Sequence, residues 1–561
     1  MSALLTGGEA LVAALEAHGV SVVFGIPGTH NLPVYAALAK SGIRHVSPRH
    51  EQGAGFAADG WARASGRPGV CITTTGPAVL NAATAAAQAY SDSVPLLLIS
   101  PGLPLRHPGR GNGYLHEVKD QRAALNAVTG YSHRVTSVPE IPLAVTQAFA
   151  AMAAGRPRPV HLDIPLDLLD ERAAAQVSGP VPVPRAVPGE TEAAAAARAL
   201  AAARRPVIVA GGGAAAAHAE LRELAELVMA PVVTTANGKG TLPDDHPLAV
   251  GAGLHHPAVR RLVADSDVVL AVGTELAPSD LWAGPLDIAG TLIRVDVDAA
   301  SAVTNALPDI AIVADATLAL GAICARLPAG TVSTGTASTG TVSASTVSAS
   351  TVPASTVPAG TADGCGSARA AAARTELAAD ARAEGAKYLG LTAALDRALG
   401  RDGILAGDST KACYFGALSN LPAYHPRSLL YPTGLGTLGY GLPAAIGAKL
   451  ARPDVPVIAL HGDGGLMFTV AELITAAELG LPLPVVVVDN GGYGEIRDEM
   501  AGRGDPVHAV DLRTPDFPLL ARSLSCHGKR ATGPAELAGL LVQALAADRP
   551  TLIHLPEEAA G

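Results

Sequence analysis

The stretch VIALHGDGGLMFTVAELITAAELGLPLPVVVVDNGGYGEIR, Val457 to Arg497, decides the fold. It opens on an apolar run that reads as a buried strand ending at His461, followed by the turn Gly462-Asp463-Gly464-Gly465. A helical stretch comes next, with Leu473, Ala476 and Ala477 expected on one face. A second buried strand, PVVVV, then stops at Asp489-Asn490. Strand, helix and strand in that order form a βαβ unit, so the two strands lie parallel in one sheet. Both polar turns must emerge at the same carboxyl edge, which lets Asp463 and Asn490 converge although they are 27 positions apart. A carboxylate, an amide oxygen and a nearby backbone carbonyl are hard oxygen ligands suited to Mg²⁺. The amides of Gly464 and Gly465, at a helix start with no Cβ in the way, predict close approach of a diphosphate. Asp-Gly and Asn-Gly are also ordinary turn dipeptides; their pairing at this spacing, in a βαβ unit, is what points to a metal-diphosphate site.

The same alternation extends outward. From residue 1 to about 180, strand-like runs such as SVVFGIPG and VPLLLISPG alternate with Ala-rich helical stretches. A second α/β block, 190–327, contains RRPVIVAGGG, DVVLAVGTE and LIRVDVD. Residues 328–368 are a repetitive Ser/Thr/Ala/Pro/Gly tract with too few large apolar groups to offset its ordering entropy, and read as a flexible linker. A third block covers 369–561. At 561 residues the chain exceeds what one core supports. The expected fold class is therefore α/β, with three doubly wound parallel-sheet domains.

Composition narrows the function classes. The net charge of −10, without a basic stripe, argues against nucleic-acid binding. No apolar run reaches membrane-spanning length, and the N-terminal residues lack a basic segment followed by a long apolar stretch. Five scattered cysteines, none in a CxxC pair, fit reduced thiols, and a cytoplasmic location is expected.

On the GDG and Asp-Asn turns the chain resembles the thiamine-diphosphate enzymes, whose signature is GDG followed at a distance by NN. Asp489 stands where the first Asn is usual, Asn490 keeps the metal-binding position, and the family's carbonyl ligand falls on Gly492, with Tyr493 beside the cofactor. The resemblance also covers RHEQGAGFAADGWAR, in which Glu51 lies between the strand IRHVSP and an Ala-rich helix. There it implies a carboxylate sharing a proton with the aminopyrimidine N1′, so that the imino tautomer can remove the thiazolium C2 proton. A glutamate in a first helical turn also simply complements the helix dipole. TTTGPAVLNAATA, containing Asn81, and GLGTLGYGLPAAIGA match further. In the latter Leu438 takes the bulky position beneath the cofactor, or is a core leucine, and the Gly436 carbonyl would receive the 4′-amino group. The resemblance implies pyrimidine-binding, central and diphosphate-binding domains. It also implies a homodimer or homotetramer whose active sites combine Glu51 of one subunit with Asp463 of another.

Four segments bear on the reaction. In GYLHEVKDQ, His116 replaces a glutamine of acetolactate-synthase-like members and is a candidate proton donor after decarboxylation, with an ordinary surface or core histidine as the alternative. Gln121 closes the same segment and is a candidate substrate contact. Together with LHEVKDQ, the segments GGYGEIRDEM, LAGDSTKACY and GTELAPSD are similar to 5-guanidino-2-oxopentanoate decarboxylases. A guanidinium tail calls for carboxylates, and Glu495 and Asp408 are candidates. Arg497 could meet the substrate carboxylate or pair with Glu495; helix-surface charges and turn caps are the plainer reading of all three. The expected function is thiamine-diphosphate- and Mg²⁺-dependent decarboxylation of a 2-oxo acid, through ylide addition and an enamine. An acetolactate-synthase-like carboligase is the alternative, and a non-catalytic protein retaining the fold a third, against which the intact Glu51, Asp463 and Asn490 speak. HPLAVGAGLHH lacks the Met-His-Gly stretch of FAD-holding members, and Gly211-Gly212-Gly213 does not satisfy GxGxxG, which argues against FAD.

Overall fold

Strands such as Val457–His461 and Pro484–Val488 are buried along their length because helices cover both faces of their sheet, and valine packs well on a pleated surface. Three six-stranded sheets, all of whose ladders are parallel, organise the computed structural model, which describes residues 3–328 and 366–561. With the strands of each sheet counted in chain order, the first sheet (Val22 to Pro165) and the third (Ile404 to Pro556) share the spatial order 2-1-3-4-6-5. The central sheet (Pro206 to Val313) has the order 3-2-1-4-5-6. In all three the chain leaves strands 1 and 4 or strands 1 and 3 in opposite directions, opening a crevice at the carboxyl edge where ligands bind. A short antiparallel pair, Ala3–Thr6 with Arg172–Ala175, ties the start of the first block to its end.

The structure moves one expected boundary. The helix Gly366–Glu384 starts in the expected linker and runs into the expected third block, but Ala370, Ala373 and Leu377 are buried with Val207, Val209 and Val269 of the central sheet. Arg369 also donates to the Pro206 carbonyl oxygen at 2.9 Å. Its small buried side chains fit against the central layer, so packing rather than chain order decides where it belongs. Of the expected linker, 329–365 lies outside the described residues.

The first and third blocks are joined through two helices, Glu51–Ser65 and Gly441–Ala451. A Cβ on Gly60 would collide with the backbone of Ala444, and one on Gly447 with that of Ala57, so glycine is needed for this approach and the helices run antiparallel. A buried polar lock flanks the seam: Arg63 reaches Asp59 and Asp92, each at 2.7 Å, and the Tyr440 hydroxyl donates to Asp59 at 2.6 Å. Among the described residues no helix is long and apolar enough to cross a membrane.

Candidate active site

At the carboxyl edge of the third sheet, Gly462 pairs with Val488 in parallel register, which brings the two following turns side by side. Asn490 donates its backbone N–H to Asp463 Oδ1 at 3.4 Å. The remaining oxygens, Asp463 Oδ2 and Asn490 Oδ1, are buried and have no hydrogen-bond partner among the described residues. Asn490 Nδ2 donates to Glu557 at 3.2 Å, which fixes the amide with its oxygen as the free end. Burial and the neighbouring Asp489 raise the pKa of Asp463, so ionising it without a cation is costly. Two orphaned buried oxygens on adjacent turns suit a hard divalent cation, and Mg²⁺ fits this donor set. The Gly492 carbonyl oxygen lies beside the same turn, 3.6 Å from where a Gly464 Cβ would sit, and could supply a third oxygen.

Asp489, which departs from the expected Asn, accepts from His554 at 2.9 Å and from the Gly491 N–H at 3.0 Å. The His554 hydrogen bond is the main cause of its lowered pKa. It is thus held at the strand end, beside the two orphaned oxygens and paired with another residue.

The GDG glycines have a further reason to be glycine. A Cβ on Gly464 would stand 2.9 Å from the Tyr493 ring, and one on Gly465 would collide with the Asp408 carboxylate. The single helix expected after this turn is two: Asp463–Leu466 and Glu472–Glu478. Leu473 and Ala476 are buried and Ala477 packs beside them. Gly436, at φ +66°, is exposed, and Leu438 is half-buried close to Gly465.

Three expected substrate contacts are engaged by other partners within the chain. Asp408 is fully buried, accepts from the Gly439 and Tyr440 N–H groups at 3.0 and 3.1 Å, and pairs with His461 Nδ1 at 2.9 Å. It pins the 434–440 loop to the sheet and has no face for a substrate. Gln121 is buried, accepts from the Gly76 N–H at 2.8 Å, and donates to Ser100 and Pro101 at 3.0 and 2.9 Å. Arg497 donates to the carbonyls of Asn490 and Gly491, each at 3.1 Å, and pairs with Asp511 rather than Glu495. Its guanidinium braces the turn beside Asp463. Glu495 is different: it accepts from the Tyr414 hydroxyl at 2.9 Å and lines a cavity between the central and third sheets.

The edge of the first sheet holds Glu51, the first residue of its helix, half-buried and hydrogen-bonded by Asn81 Nδ2 at 3.0 Å. Glu472 of the third block accepts from the N–H groups of Arg49 and His50, both at 3.0 Å, and so clamps the segment before Glu51. His116, at φ +63°, donates Nδ1–H to the Thr75 carbonyl at 3.1 Å, which leaves Nε2 free. Its ring lies 5.1 Å from that of His30, a residue the sequence reading missed. Burial and His116 lower the pKa of His30. The signal was available, since His30 follows the strand Val22–Gly25 at the same edge. Because the two joining helices are antiparallel, with Gly60 level with Ala444, Glu51 lies about 13 Å further toward the C-terminal end of Gly441–Ala451. Gly441, at the other end, faces His461 and Asp408. Within one chain the two half-sites sit at opposite ends of the helix pair.

Comparison with known proteins accounts for both halves. Residues 5–124 match the N-terminal, 193–323 the central and 411–555 the C-terminal domain of thiamine pyrophosphate enzymes. A probable 2-ketoarginine decarboxylase of Pseudomonas aeruginosa is 43% identical over 98% of this chain and 94% of its own length. The chain belongs to the thiamine pyrophosphate enzyme family. Other members at similar coverage include a probable acetolactate synthase large subunit of Methanocaldococcus jannaschii, 33% identical over 98% of this chain and 92% of its own length. An acetolactate synthase of Mycobacterium bovis is 34% identical over 98% and 87%. The thiamine pyrophosphate binding domains are the first and third blocks, the two that share a strand order. The central block is also a family domain, although its Gly211-Gly212-Gly213 turn packs on the backbone of Gly273.

Proposed function

We propose that this enzyme decarboxylates a 2-oxo acid with a guanidinium tail, using thiamine diphosphate and Mg²⁺, and releases CO₂ and an aldehyde. The observation that carries the cofactor half is the pair of orphaned buried oxygens on Asp463 and Asn490, which with the Gly492 carbonyl would hold the metal. When bound, thiamine diphosphate supplies a carbon nucleophile and an electron sink. Around it, Gly462, Gly464, Gly465 and Tyr493 would shape the diphosphate end, while Gly436 and Leu438 would support the ring end. Glu51, oriented by Asn81, would hold the proton shared with the aminopyrimidine. His116, with its free Nε2 beside His30, would deliver the proton that replaces CO₂. Support for the substrate comes from the relative named as a 2-ketoarginine decarboxylase and from Glu495 in its cavity.

We further propose a homodimer or homotetramer, because a second copy would bring its own Glu51 edge to Asp463. The exposed apolar residues Leu80, Leu435, Met467 and Phe468, next to the two half-sites, are suited to being covered by that copy. The relatives named as acetolactate synthases favour a second reading, acyloin formation with a second carbonyl compound. Incubation of the purified protein with thiamine diphosphate, Mg²⁺ and a panel of 2-oxo acids separates them. Aldehyde with stoichiometric CO₂ is expected; acyloin as the main product would favour the carboligase, and neither product would overturn both.

A further inference from the structure

A cavity of about 370 Å³ separates the central and third sheets, and Glu495 is only one of its acidic walls. Across from it, Asp280 accepts the Ala236 N–H at 3.3 Å through Oδ1. Burial pushes the Asp280 carboxyl up to about 7, and the charges that act on it, Asp92 and Glu275, are acidic. Among the described residues, no lysine or arginine lines the cavity. Carboxylates set in such surroundings are stabilised by a cationic ligand that brings its own charge.

The rest of the wall is aromatic. Trp282 stacks on His255, ring centroids 3.8 Å apart and planes within 21°. It stands edge-on to Tyr414, whose hydroxyl already orients Glu495. His255 is tethered by Glu384 at 3.2 Å, and the Trp282 indole N–H by the Ser279 carbonyl at 2.8 Å, so the stack is held from both sides. Trp282 sits at φ +46°, a conformation costly for a bulky residue and retained where the surroundings impose it. A flat aromatic shelf between carboxylates matches a planar guanidinium, which stacks on rings and donates forked hydrogen bonds better than a compact ammonium. Position agrees: Glu495 is in the first turn of the helix that follows Gly492 and Tyr493. A substrate reacting beside that turn would extend its tail into this cavity.

The geometry points to Asp280 as a specificity-determining residue, the central domain's half of a subsite that takes a planar cation between Asp280, Glu495 and Trp282. This rests on the decarboxylase reading above for the identity of the cation, but the subsite can be tested without turnover. Calorimetry on holoenzyme with 4-guanidinobutanoate and its uncharged isostere 4-ureidobutanoate is the first arm. Wild type should bind the guanidino compound more tightly, and Asp280→Asn should reduce that preference roughly ten- to a hundredfold. The second arm is the ratio of kcat/KM values for 5-guanidino-2-oxopentanoate and 5-ureido-2-oxopentanoate, which should fall by a similar factor in Asp280→Asn, chiefly through KM of the charged substrate. Asp280→Glu should recover part of it. A preference unchanged in Asp280→Asn, or no preference in wild type, overturns the subsite. Binding preference that depends on Asp280, with no decarboxylation of either acid, keeps the subsite and overturns the reaction.

Discussion

The first and third sheets share a strand order and present their loops at the same edge, yet the chemistry gathered there differs in kind. The third-sheet edge ends in oxygens, on Asp463 and Asn490, to which none of the described residues donates. The first-sheet edge ends in groups chemically able to hold or pass protons: Glu51 beside Asn81, and His116 beside His30. One topology thus presents two sets of groups, one suited to charge and one suited to protons. The backbone crevice belongs to the fold, and what it does is set by the few side chains placed at its rim.

That division can be broken experimentally. The largest effect is expected for Asp463→Ala: calorimetry with thiamine diphosphate and Mg²⁺ should show affinity reduced by about a hundredfold or more, with activity lost. Glu51→Gln should bind cofactor within a few fold of wild type but slow deuterium exchange at the cofactor C2 by about three orders of magnitude. If Asp463→Ala binds normally, or if Glu51→Gln loses binding instead of exchange, the two edges do not divide the work. His116→Ala sharpens the first edge further. Aldehyde formation should slow by about a hundredfold while C2 exchange proceeds at the wild-type rate. Slowed exchange would place His116 with Glu51 rather than after CO₂ loss.

The smallest effect concerns stability. Asp280 has a folded-state pKa near 7, above an ordinary carboxyl, so folding opposes its ionisation. The opposition is absent while pH is below the ordinary carboxylate range, grows as pH rises, and is complete above about 7. Asp92, Glu275, Glu495, His255, Tyr414 and the Ala236 N–H are the groups around it. Asp280→Asn should therefore raise the melting temperature of the substrate-free protein by a few degrees at pH 8, and scarcely at pH 4.5. Equal melting curves at both pH values would mean that the carboxylate is already compensated.

The readable part of this site was the part with local grammar. Asp463 and Asn490 follow directly on strands Val457–Gly462 and Pro484–Asp489, and parallel pairing of neighbours is a short-range inference. Asp408, in LAGDSTKACY, likewise follows directly on a strand, Ile404–Gly407. Only the fold showed the Gly439 and Tyr440 amides and His461 converging on it. The partners of Gln121 at Gly76, Ser100 and Pro101 were hidden for the same reason, since a long polar side chain bonds whatever the tertiary structure brings near. His30 went unnoticed because one histidine carries no periodicity, and its partner is far along the chain.

The sequence by itself determined the α/β class, the carboxyl-edge position of the GDG and Asp-Asn turns, and the family resemblance, because hydrophobic period and turn chemistry act over a few residues. The tertiary structure alone decided that the helix Gly366–Glu384 packs on the central sheet, that Asp408 is a brace, and that Asp280 and Glu495 face one cavity across two domains. Those outcomes depend on burial and on partners far outside the local sequence, where the desolvation of a charge and the contacts available to it are set by packing.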